Sequence, residues 1–460
     1  LTAAGASDVL IGGSGASTLQ ATGQFETLLG GSGGNSLVSS GQHNTLVAQS
    51  TNNTLITSGT SDTLLASAGA DHLVADGATQ ATLVGNVAGS TLQALNGADA
   101  VAAYALDNVT VNLETGLASI AGTGSSDVLI GINAAEALGV GDTLQGSTGV
   151  STLISSGAGN TLVGGGTGTI AEYGGNGVTV DLSAQIARVN GSSAYDTLVG
   201  ISNATVTGHG DTLIGGTASQ TLQSSGSENT LIAGTAAVSL VSSGTNDTLF
   251  GNLASSVLQS DSQGTVVAYS IDGVTVDLDN GTASGSSGTD TLSGFVGAAA
   301  LGSGDTLISL SGNNTLFSNA NGNTLRTSSN TVEVLYSADD MLIDLPGGTA
   351  GVQGSGRHDT LIGVQTVDLT GVDGTIVSNG SGNTLISAST SNTLEYSNDD
   401  VLVDLAVGSA AVAGDAQADQ IIGLNHIVLS GTNDVARAGT FAATLVASGT
   451  SDTLEGQAAG

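Results

Sequence analysis

The chain contains no cysteine, no lysine and no tryptophan, and a single proline. Without cysteine there is no disulfide, no thiolate nucleophile and no cysteine-held metal. Stability in an oxidising environment would have to come from the fold or from bound cations. Positive charge is nearly absent: Arg188, Arg326, Arg357 and Arg437 face 39 acidic residues, for a net charge of −35. Nucleic acids and anionic membranes are recognised by positive surface, so this composition argues against both and makes cations the natural counter-species. No apolar run is long enough to cross a bilayer, and no basic-then-apolar leader is present. Aromatic residues make up 2 % of the 460 positions, too few for the ring-rich core of an ordinary globular domain.

What is present is a beat of leucines. They recur every nine residues at Leu10, Leu19, Leu28, Leu37, Leu46, Leu55, Leu64 and Leu73, then at Leu83 and Leu92 after one inserted residue. The same spacing returns at Leu144, Leu153 and Leu162, and again from Leu213 to Leu258. A short period held over such a length predicts one small unit stacked many times. With 39 % hydrophobic residues placed in register, enough surface is buried to offset chain entropy, which argues against disorder despite 72 glycines.

Residues 39–47 (SSGQHNTLV) and 57–65 (TSGTSDTLL) define the unit, with leucine eighth. Positions one to five carry turn chemistry. Strand residues alternate sides, so the eighth-position Leu points inward while the seventh-position Thr and ninth-position aliphatic point outward. Two units per coil would place equivalent residues 18 apart in the sequence; a three-sided coil of three units also fits the period, but one short strand and one tight turn per unit favour two sides. The outward residues Thr27, Thr45, Thr63 and Thr82, beside Val47, Leu65 and Val84, then form a Thr-plus-aliphatic face suited to lateral packing.

A longer unit interrupts the nonapeptides five times: YALDNVTVNL (104–113), YGGNGVTVDL (173–182), YSIDGVTVDL (269–278), YSADDMLIDL (336–345) and YSNDDVLVDL (396–405). Each is followed by a Gly/Ala-rich stretch and then by DVLIG, DTLVG, DTLSG, DTLIG or DQIIG. These cassettes (101–138, 171–206, 267–301, 334–376 and 396–436) separate nonapeptide blocks at 1–100, 139–170, 207–266, 302–333, 377–395 and 437–460. No linker-like shift in composition separates them, so the expectation is one continuous all-β solenoid over 1–460, a parallel β-roll in which the cassettes are wider coils.

The nonapeptides and the Tyr…VTVDL…GTDTLSG cassette resemble the RTX proteins, the haemolysin-type calcium-binding repeat family of secreted bacterial exoproteins, whose unit is GGxGxDxUx with U a large aliphatic. Segments 12–19 (GGSGASTL) and 30–37 (GGSGGNSL) match its glycines and its aliphatic position. The likeness runs over essentially the whole chain. It implies a right-handed parallel β-roll, a bacterial origin, type I secretion and an extracellular or cell-surface location. In the family, turn carbonyls and sixth-position Asp residues 18 apart enclose Ca²⁺. Here the sixth position is mostly Asn, as at Asn35, Asn44 and Asn53, and Asn lacks the charge a hard cation prefers. It can bond its own turn and stack with its neighbours as a structural ladder. Acidic pairs at the family spacing are Asp8 with Glu26 and Asp434 with Asp452; further candidate calcium ligands are Asp339, Asp340 and Asp344, and Asp399, Asp400 and Asp404. The plainer reading of those two clusters is a solvated acidic edge. Ca²⁺ is therefore expected at a minority of turns only.

No catalytic constellation is legible. The five histidines are scattered, and no HExxH or GxSxG pattern pairs with plausible partners. The sequence thus points to a non-enzymatic structural extracellular protein that self-assembles into a fibre, surface layer or biofilm matrix, with its own copies and divalent cations as partners. Residues 3–11 and 448–456 read as ordinary repeats with no cap, so head-to-tail stacking between copies is expected. The alternative is a calcium-binding RTX-type adhesin stalk whose binding domains lie outside this chain; a more distant one is an ice-binding Thr face.

Overall fold

The computed structural model describes residues 1–67, 69–319 and 321–456. The chain forms two compact units, Leu1–Gly234 and Thr235–Gly460. Both are built entirely from short β-strands and turns; among the described residues there is no helix, and hence none long and apolar enough to cross a membrane.

In the first unit successive strands alternate between two sheets. Thr18–Ala21 pairs in parallel with Ser36–Ser39, which pairs with Thr54–Thr57 and then His72–Asp76. The intervening strands Thr27–Leu29, Thr45–Val47 and Thr63–Leu65 pair among themselves in the other sheet. Leu19 aligns with Leu37 and Leu55, and Leu28 with Leu46 and Leu64. Partners are two nonapeptides apart, so the coil has two sides and a three-sided coil is ruled out. Every inward leucine from Leu19 to Leu73 is fully buried, each contributing about 1.5–3 kcal/mol of apolar burial. The second unit repeats this plan, with Leu307 aligned on Leu325 in one sheet and Leu316 on Val334 in the other.

Where glycine fills position three, consecutive turns almost touch. A Cβ on Gly41 would lie 1.8 Å from the carbonyl oxygen of Gly23, and one on Gly226 1.6 Å from that of Gly208. Position five takes a left-handed conformation even without glycine, as at Phe25 (φ 56), His43 (φ 55) and Ser61 (φ 56). That bend turns the sixth side chain back into the coil. Phe25 and His43 stack ring on ring there, with centroids 5.1 Å apart.

The cassettes are not simply wider coils. In the first, Val109–Asn112, Leu117–Ile120 and Ser126–Ile130 form an antiparallel meander within one sheet. Its outer strands resume parallel pairing with Thr91–Leu95 on one side and Thr143–Gln145 on the other. The same insertion recurs at 178–199, 275–293, 341–362 and 401–422. The hairpin closes through a left-handed residue such as Gly116 (φ 67) or Gln185 (φ 61). Across the core, the tyrosine-bearing strand Ala100–Tyr104 pairs directly with Ala134–Ala137, so the opposite sheet is not interrupted.

Candidate functional site

Two recurring polar arrangements lie inside the coils. The first is a ladder along position six, where each side chain accepts the backbone N–H of position six one coil earlier. Asn35 Oδ1 takes the Ser17 amide at 3.0 Å, Asn44 takes Glu26 at 2.7 Å, and Asn53 takes Asn35 at 2.9 Å. Asp62 and Asp71 continue it by accepting from Asn44 and Asn53. The side-chain amides also bond along the stack, from Asn35 Nδ2 to Asn53 Oδ1 at 3.2 Å.

The inward hydroxyl at position one adapts the ladder to either residue type. It accepts from asparagine: Asn44 Nδ2 donates to Ser39 Oγ at 3.0 Å, and Asn160 Nδ2 to Ser155 Oγ at 3.0 Å. It donates to aspartate: Thr57 Oγ1 gives to Asp62 Oδ2 at 2.6 Å, and Ser242 Oγ to Asp247 Oδ2 at 2.7 Å. A hydroxyl can serve both because its proton rotates.

The second arrangement belongs to the cassettes. The tyrosine that begins each Tyr…VTVDL-type motif is buried and donates its phenol to the aspartate that opens the DVLIG-type segment. Tyr104 bonds Asp127 at 3.3 Å, Tyr173 Asp196 at 3.2 Å, Tyr269 Asp290 at 3.1 Å, Tyr336 Asp359 at 2.9 Å and Tyr396 Asp419 at 2.9 Å. The same carboxylates take over the ladder across the insertion: Asp196, Asp359 and Asp419 accept the amides of Asn160, Asn323 and Asn383. Asp127 likewise accepts the position-six amide of Ser90, together with the four preceding turn amides from Asn86 to Gly89. Burial, and then the adjoining carboxylate, push all five phenols well above the ordinary tyrosine range. Burial also raises Asp196 and Asp359, against the pull of their hydrogen bonds.

The sequence-derived cation candidates divide by geometry. Asp339 and Asp399 accept the backbone amides of Val372 and Thr432. Asp340 and Asp400 are left-handed turn residues, and Asp344 and Asp404 cap the hairpin turns at Gly347 and Ala406. Among the described residues no three His, Asp or Glu side chains converge as a metal-holding group. Asp8 is exposed, whereas Glu26 is buried, with Oε2 facing the Gly23 amide at 3.3 Å and Oε1 partnerless. Asp452 Oδ1 accepts the Asp434 amide at 3.0 Å, and the Oδ2 atoms of both residues are buried without a partner. That pair fits a hard cation. The Asn-bearing coils do not, because their side-chain Nδ2 donors already occupy the turn.

Outside the coils, the Thr27–Thr45–Thr63–Thr82 row is in register with its aliphatic companion Leu29–Val47–Leu65–Val84. All eight side chains are half-buried. One contact absent from the sequence reading is a chain of exposed groups on neighbouring turns: His209 Nδ1 lies 3.1 Å from Ser227 Oγ, and Nε2 lies 3.6 Å from Glu228. A depression of about 470 Å³ beside Leu405, Ile421, Leu424 and Phe441 carries no titratable group. No protein-family model matches the chain, and no curated protein matches it significantly in sequence.

Proposed function

We propose that this is a non-enzymatic structural protein of the bacterial exterior, exported by a type I route and assembled from many copies into a fibre, surface layer or biofilm matrix. The observation that carries this reading is the outer face. Over four consecutive coils of one sheet it presents only Thr and aliphatic side chains in register, from Thr27 and Leu29 to Thr82 and Val84. Solitary sheets guard such faces and edges with charge; these four coils do not. Stacking between copies would reuse the parallel pairing that already joins neighbouring coils. Replacing Val47 and Leu65 together with lysine tests the lateral contact: light scattering should show bundling lost while circular dichroism stays unchanged. Unaltered bundling would refute the assignment of this face.

The Asp434–Asp452 pair favours a second reading, a calcium-binding RTX-type adhesin stalk whose binding domains lie outside this chain. Calorimetric titration with Ca²⁺ tests it. Saturable binding abolished by Asp452→Asn supports the reading, and absence of binding heat removes it.

A further inference from the structure

The ladder contains acids in which one carboxylate oxygen is buried without a hydrogen-bond partner, and three of them share one local cause. Asp142, Asp211 and Asp305 each open the nonapeptide block that follows a cassette. Each uses Oδ1 to accept the amide of a strand residue: Val109 at 2.8 Å, Val178 at 2.7 Å and Val274 at 2.9 Å. Each is at most 1 % exposed, and in each Oδ2 is buried with no hydrogen-bond partner. Position one, five residues earlier, supplies a hydroxyl to Asp62 and Asp247. Here it holds Ala137, Val206 and Ala300 instead.

The atom at the Oδ2 site is a donor wherever the ladder residue is asparagine. Asn44 Nδ2 bonds the Gly23 carbonyl at 3.2 Å, and Asn229 Nδ2 the Gly208 carbonyl at 3.1 Å. In the aspartates an acceptor replaces that donor, and the carbonyl of the preceding turn remains. A Cβ on Gly208 would lie 2.0 Å from Gly175 O and 2.8 Å from Asp211 Oδ2; one on Gly302 would lie 2.6 Å from Ile271 O and 3.0 Å from Asp305 Oδ2. Two acceptor oxygens thus lie close to the same glycine. Leu106 O has the same place relative to Gly139 in the first cassette.

We propose that Asp142, Asp211 and Asp305 form an acid-responsive lock: each takes up a solvent proton in the folded coil and, as the neutral acid, donates a hydrogen bond to the carbonyl of the turn before it, at Leu106, Gly175 and Ile271. The ladder itself does not need the carboxyl group. In the fourth cassette the same position is Gly374, which still donates its amide to Asn392 at 2.8 Å. Burial, the first cause in each case, raises all three acids above the ordinary carboxylate range. The titratable groups that face them are Asp107, which raises Asp142, Asp272, which raises Asp305, and His209, which lowers Asp211. Because folding raises these values, the folded chain binds the extra protons. The resulting stabilisation is complete below the unfolded carboxylate range and is lost as pH rises through the folded values.

The test is thermal unfolding of the full chain in chelator, followed by circular dichroism from pH 8 down to pH 5. Wild type should gain several degrees on acidification. A triple Asp142→Asn, Asp211→Asn, Asp305→Asn variant should melt higher than wild type at pH 8 and gain much less. The hydroxyl variant Ala137→Ser, Val206→Thr, Ala300→Ser keeps the acids but supplies their missing donors, and should flatten the profile in the same way. Asp76→Asn, Asp261→Asn and Asp415→Asn together make the same charge change outside the ladder and should leave the slope as in wild type. A ladder variant that only tracks this charge control would overturn the proposal. So would a wild-type melting point that Ca²⁺ raises at pH 8 through these three acids, because a cation would then fill the space assigned to the proton.

Discussion

Removing one cassette carboxylate should cost more than removing any of its partners. Asp359 is fully buried. It accepts Ser318 Oγ at 2.5 Å, Tyr336 OH at 2.9 Å, the Gly322 amide at 3.0 Å and the Asn323 amide at 2.7 Å. Asp359→Ala leaves these donors without their acceptor, and each unsatisfied buried donor costs about 1–3 kcal/mol. Water entering the vacated space recovers part of that, so the expected net loss is about 4 kcal/mol or more, in the range reserved for broken buried networks. Tyr336→Phe removes a single hydrogen bond to a charged group and should cost about 1.5–3 kcal/mol. The two losses share a bond, so the double variant should lose less than their sum. Native-state hydrogen exchange at the Asn323 and Thr360 amides reads the local opening energy directly. A loss under about 1 kcal/mol for Asp359→Ala would refute the claim that this carboxylate organises the cassette.

Gly226→Ala would force its Cβ to within 1.6 Å of the Gly208 carbonyl oxygen, so the two turns must separate; we expect a loss of about 3 kcal/mol or more by chemical denaturation, and a near-neutral result would show that the turns can spread freely. The five cassette phenols should give no alkaline ionisation signal in ultraviolet absorbance until the chain unfolds, since burial raises all of them; early titration of any would show its coil open to water. Chelation should leave the far-ultraviolet β-signal of the chain intact, because the Asn ladder bonds the turns without metal; collapse to random coil would mean that cations hold the repeats.

Much of the fold was legible because its period is strict. The leucine beat marked the inward row and the alternation the outward Thr row, whereas the period fitted two or three sides and the size of the unit only favoured two. The cassette meander was not legible. Its middle strands, such as Leu117–Ile120 and Ile186–Val189, are short and mix apolar with small or charged residues, so they read as loop. The tyrosines mark the cassettes in the sequence, but their partners lie 21 or 23 residues ahead, and a phenol–carboxylate contact has no local sequence signature. A signal was nonetheless present: in each cassette the first Tyr precedes the Asp of the DVLIG-type segment by 21 or 23 residues. The ladder was foreseen as asparagine stacking. Its main bond, from side-chain oxygen to a backbone amide one coil away, needed the coil registration before it could be seen. The unsatisfied acids depended on comparing positions one and six, a pairing that only the folded turn makes meaningful.

The account's central claim is that this solenoid is built to assemble with copies of itself. Electron cryomicroscopy of the purified chain across a concentration series tests that claim most directly. The account predicts filaments or sheets whose coils repeat at about 4.8 Å, growing with concentration through parallel strand pairing between copies. Discrete, monodisperse single molecules at every concentration would contradict it.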